Sequence, residues 1–139
     1  MARCAWQLFP HGADMGVRGI GPSREAAFEQ AGLALTGVVA NPGQVRPQEP
    51  IRIRCEAPDD GLLLLDWLNA LISEMALRRM LFGRFEVNLA NGGLDAVAWG
   101  EPIDPQRHQP AVEVKAATCS ELEVSRHGDE WVAQTVVDV

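Results

Sequence analysis

The sequence is poor in most of what marks the common site chemistries. Its 12 basic residues are outnumbered by 19 acidic ones, the formal net charge is −7, and no basic run exceeds Arg78-Arg79. Nucleic-acid binding draws chiefly on phosphate neutralisation by Lys and Arg, so direct binding of nucleic acid is not expected. Cysteine is equally thin: Cys4, Cys55 and Cys119 lie far apart with no Cys-x-x-Cys spacing. An odd, scattered set is neither a disulfide framework nor a zinc motif, and reads as free thiols of a reducing cytoplasm. The longest apolar run, residues 62–65, falls far short of a membrane span. No apolar segment of the signal-peptide kind follows Arg3. A cytoplasmic protein without membrane contact is the expectation.

Covalent catalysis finds no better footing. There is no Gly-x-Ser-x-Gly turn for a serine nucleophile, and three histidines offer few bases. Neither Gly-x-Gly-x-x-Gly nor a Walker-type lysine is present to cradle phosphates. A protein partner or a metal cation is the better expectation.

What is present is an ordinary globular composition, 47% apolar and 22% charged over 139 residues. That length suits one domain, residues 1–139. Residues 4–9 are short, apolar and aromatic, and read as a strand ending at Pro10. Residues 14–20 follow as a second extended segment. Ser23 is a good helix N-cap with Glu25 in the first turn, and Phe28, Ala31, Leu35 and Val38 recur at helical spacing. Asn41-Pro42-Gly43 stops that helix. Strict alternation over residues 51–55 predicts a half-buried strand, and a second helix, mostly core, is predicted over about 62–80. Phe85, Val87 and Leu89 then alternate up to Asn91-Gly92-Gly93, and residues 94–99 return as a hairpin. Residues 100–110 read as a proline-rich loop. Strands are predicted over 112–118, 122–124 and 131–137, with a turn at residues 127–129. The order implies an α+β fold, two helices packed on one face of a largely antiparallel sheet.

Carboxylates are the remaining chemistry. Asp14 sits in the glycine-flanked run His11-Gly12-Ala13-Asp14-Met15-Gly16, and Asp138 ends the last predicted strand, one residue before Val139. Taken singly, each suits a solvated or turn-capping aspartate. If they converge, unit charges ~4 Å apart at an effective dielectric of ~20 repel by about 4 kcal/mol. Such a pair shares a proton or takes a cation. Oxygen ligation suits Ca²⁺, Mg²⁺ or Mn²⁺ rather than zinc, with a Val139 oxygen as a further ligand. His11 and Asp66 are candidates to support that site. Lys115 alternates with the core face of its strand, and His108, with Arg107, lies in a loop suited to partner contact.

These residues resemble the archease family. The run from Trp6 to Arg18 is similar to its opening His-x-Ala-Asp-(Ile/Met)-Gly motif, continued by residues 25–31. Leu64-Leu65-Asp66-Trp67-Leu68-Asn69 resembles the archease second helix. Gly100-Glu101 with Asp104 and His108 resembles its loop, and residues 112–118 and 136–139 complete the set. Ala70 stands where many archeases carry Glu, and Cys119 where Tyr is common. The resemblance implies a protein cofactor, not an enzyme, that activates an RtcB-type RNA ligase. It would promote ligase guanylylation and multiple turnover in transfer-RNA splicing or RNA repair. It also implies a metal site at Asp14 and Asp138 with backbone oxygen from Val139, calcium being the first expectation. The alternative is a chaperone-like regulatory binding protein for RNA-modifying enzymes, its metal purely structural. Self-association is left open.

Overall fold

The computed structural model describes residues 3–139. The chain starts with an antiparallel hairpin, β1 (Ala5–His11) and β2 (Asp14–Gly21), and enters helix α1 (Arg24–Val39). The Ser23 side chain accepts the Ala26 N–H at 3.1 Å, satisfying one of the orphan donors of the first turn. A single 3₁₀ turn at Pro42–Gln44 leads to β3 (Glu49–Glu56) and helix α2 (Asp60–Arg78), capped by Asp59. Strands β4 (Met80–Ala90) and β5 (Gly93–Pro102) form the second hairpin. A one-turn helix α3 (Pro105–His108) precedes β6 (Ala116–Ala117), β7 (Glu123–His127) and β8 (Glu130–Asp138).

The α+β reading holds, but the strands divide between two antiparallel sheets. One runs β1-β2-β8-β6, with β7 also on β8; the other runs β3-β5-β4. Helix α1 touches both, lying against β2 and β8 of the first and β4 of the second. Phe28, Leu35, Trp67, Leu68, Leu71 and Phe82 are fully buried where helices and sheets meet. The Trp67 indole N–H donates to the Phe28 carbonyl at 3.0 Å, so the core ties α2 to α1 without an unpaired donor.

Several boundaries differ from the pattern in the sequence. Pro10 does not end β1; as an edge strand, β1 tolerates the missing N–H, and His11 still pairs with Asp14. Helix α2 ends at Arg78, because Arg79 turns left-handed (φ 52°), and Met80 opens β4 instead. The predicted loop over 100–110 contains the end of β5 and the α3 turn. Of residues 112–118 only Ala116 and Ala117 pair as strand.

Helix α1 packs almost directly on the β2 backbone. A Cβ at Gly19 would stand 2.1 Å from the Ala27 carbonyl oxygen, so only glycine permits that approach. Alternation along β2 therefore points Val17 and Gly19 toward α1, and Asp14, Gly16 and Arg18 to the opposite, open face.

Candidate cation site on the open face of the first sheet

The β1–β2 turn has two residues, Gly12 and Ala13. Gly12 has φ 59° while Ala13 keeps negative φ, the pattern of a type II′ turn, which matches the right-handed strand twist. This turn sets His11 directly across from Asp14. On the other side of β2, Met15 pairs with Val137, so the next position in that register sets Asp14 across from Asp138. Asp138 in turn pairs with Ala116 of β6. His11, Asp14, Asp138 and Ala116 thus form one row across four strands, and directly opposed residues of an antiparallel ladder share a face.

Asp14 is half-buried and Asp138 exposed. The Val139 N–H donates to Asp14 Oδ1 over a long 3.5 Å, and the Lys115 N–H donates to the Asp138 carbonyl at 2.8 Å. Neither carboxylate has an ion-pair partner among the described residues. Two carboxylates are gathered here with no cation of the chain's own.

The donors are all oxygen, which suits hard divalent cations. No group of three or more His, Cys, Asp or Glu gathers to hold a metal among the described residues, so a closed side-chain cage is excluded. A cation here would meet the two carboxylates, with the remaining positions left to water or a partner.

The other candidates lie in different settings. His11 is exposed and shares the row of Asp14. Lys115 is exposed, and its link to Asp138 runs through its backbone. Asp66 is exposed on α2 within electrostatic reach of Cys55 on β3, in the other sheet. There it adds to burial, the larger cause, in pushing the Cys55 thiol pKa up. His108 is not a surface ring: its side chain is closed to solvent. Its Nδ1 accepts the Asp104 N–H at 2.9 Å, so Nε2 carries the hydrogen and donates to Glu101 Oε2 at 3.1 Å.

Two charged groups were not among the candidate site residues read from the sequence. Glu101, 4% exposed, accepts from Arg107 Nη2 at 2.5 Å, the Arg46 N–H at 2.6 Å, and His108. Arg107 chiefly, against the opposing effect of burial, and then the Arg46 N–H and His108 lower its pKa to about 2. Arg18 lies two rows from Asp14 on the open face. Its Nε donates to Gln134 Oε1 at 2.8 Å and its Nη1 to Gln7 Oε1 at 3.0 Å, with the guanidinium 4.6 Å from the Phe9 ring centroid. The two-residue turn, once recognised, would have predicted the Gln7–Arg18 pair by counting back along the hairpin.

A profile of the Archease protein family matches residues 6–139. A protein archease of Pyrococcus abyssi is 35% identical over 139 residues, covering 96% of this chain and 98% of its own. The solution structure of protein 1598 of Methanobacterium thermoautotrophicum superposes with a TM-score of 0.84 at 29% identity, over 97% of this chain and 99% of that one. A crystal structure from Thermotoga maritima, described as an archease and possible chaperone, superposes at 0.65 over 96% of each chain. At 19% identity that second likeness speaks for the fold alone.

Proposed function

The chain belongs to the archease family, and from that premise we propose that it is a protein activator of an RtcB-type RNA ligase, working through a divalent cation held by Asp14 and Asp138. The observation that carries the reading is the row itself: two aspartates from opposite ends of the chain, on an open face, with no basic partner among the described residues.

Each part of the row has a task. The Gly12–Ala13 turn and the β2–β8 ladder hold both carboxylates on one face. The Lys115 N–H bond to the Asp138 carbonyl fixes the end of β8, and Asp14 takes the Val139 N–H, which ties the last residue to the row. A divalent cation bound there supplies positive charge toward phosphate oxygens. The acidic surface leaves RNA to the ligase, since a net charge of −7 opposes phosphate binding.

Multiple-turnover RNA ligation by the cognate ligase with GTP and Mn²⁺ tests the reading. Stimulation by the wild type, lost in folded Asp14→Ala and Asp138→Ala variants, is expected. A well-folded wild type without effect on turnover would overturn it.

A further inference from the structure

Arg18 is held at two of its nitrogens on the open face, and no carboxylate pairs with it among the described residues. Both groups that hold it are neutral amides, Gln134 and Gln7, and the Phe9 ring lies beside it, across Gly16. Amide oxygens orient a guanidinium without cancelling its charge. Two of its five donors are spent, and Nη2 makes no bond among the described residues. No buried side-chain nitrogen or oxygen lacks a partner among the described residues, so Nη2 reaches solvent. The nearest acid in the row is Glu123 on β7, across Gln134. Its charge is held first by Ser125 and His127, and Arg18 is the least of the influences on it.

Arg84 in the other sheet makes a telling contrast. It also lies over a ring, 4.8 Å from the centroid of Trp99, but it is paired with Glu86 at 3.2 Å. A ring-backed arginine in this protein is thus neutralised on one sheet and left open on the other.

We propose that Arg18 is the seat for a carboxylate of the docked RNA ligase, which makes the open face of the first sheet the docking surface. The inference rests on the activator reading above and identifies the partner chemistry for the same face. Arg18 and Asp14 are four residues apart on β2, about 13 Å at ~3.3 Å per residue. The partner therefore faces an acidic row and, two rows further along, a fixed guanidinium. A carboxylate suits the second position better than a phosphate. A guanidinium binds either oxyanion through a fork of two N–H groups. The surroundings decide between them: Glu123, the two aspartates and the net charge of −7 penalise a dianion more than a single charge.

Affinity of the purified ligase for this protein, measured by calorimetry, tests the proposal with three variants whose folding is checked by thermal melting. Arg18→Gln is expected to weaken binding by about tenfold or more, the effect of removing one member of a desolvated charge pair. Arg18→Lys, which keeps the charge but loses the fork, should fall between wild type and Arg18→Gln. Arg84→Gln should bind as wild type. Wild-type affinity in folded Arg18→Gln, or an equal loss in Arg84→Gln, would overturn the carboxylate seat while leaving the activator reading intact. Failure of the wild type itself to bind the ligase would overturn both.

Discussion

Glu101 and the Asp14–Asp138 pair place the same functional group in opposite settings. Glu101 is buried, and Arg107, the Arg46 N–H and His108 close around its two oxygens. The Asp14 and Asp138 carboxylates stand at strand ends, half-buried and exposed, with one long bond, from the Val139 N–H, to the rest of the described chain. A buried charge persists only when its partners repay the loss of water, so Glu101 belongs to the architecture. It joins the end of β5 to the α3 turn and to the segment before β3. Carboxylates gathered without partners leave a charge imbalance that the fold does not use. Binding is what that imbalance can serve.

The contrast is sharpest on the buried side. Glu101→Gln should cost about 2–4 kcal/mol in chemical denaturation, the range for breaking a buried pair reduced for the water contact Arg107 retains. The pH dependence has a defined sign. The Glu101 carboxyl titrates at about 2 in the folded chain, against 4.5 ordinarily. A depressed pKa stabilises the fold above pH 4.5, and that contribution is lost as pH falls from 4.5 toward 2. Wild type should therefore lose stability through this window, and Glu101→Gln should lose less. Equal acid sensitivity of the two proteins would remove Glu101 from the architectural side of the comparison.

A smaller effect probes the support under the open row. Nothing lies within 4 Å of a Cβ added at Gly12, so Gly12→Ala meets no clash and pays only for its φ of 59°. That left-handed conformation should cost about 1–2 kcal/mol, read as a lower melting temperature. A variant as stable as wild type would mean the turn does not hold His11 and Asp14 in the geometry described.

How much of this was legible in the sequence follows from where the deciding interactions lie. Ser23 and Asp59 announce the helix starts because capping is local, and Asn91-Gly92 announces its hairpin for the same reason. The Asp14–Asp138 convergence was suspected from a glycine-flanked turn and a strand end, and the β2–β8 register, whose last pair is Met15 with Val137, runs up to the two aspartates. Nothing local marks the end of α2: Arg79 takes a left-handed conformation with no glycine, and Met80 is apolar enough for helix or strand. The alternation over residues 112–118 reads as a full strand, yet the Ala111 N–H bonds the Val39 carbonyl at the end of α1 and residues 112–114 line a cleft with Ile72 and Met75 of α2. The β8 edge is shared by β6 and β7, and five residues between Ala117 and Glu123 answer two between Gln134 and Val137. A break of that kind depends on a partner strand that sequence spacing does not reveal. Burial of His108 was hidden likewise, because it depends on Glu101 and Asp104 closing the loop around the ring.

The central claim is that the two unpartnered aspartates hold a cation, and calorimetric titration of the protein with Ca²⁺ and Mn²⁺ tests it most directly. Wild type should bind with one-to-one stoichiometry. Asp14→Asn and Asp138→Asn should lose that binding while their metal-free stability stays within about 0.5 kcal/mol of wild type, as for surface substitutions. Absence of binding by folded wild type, or undiminished binding by Asp14→Asn, would contradict the account.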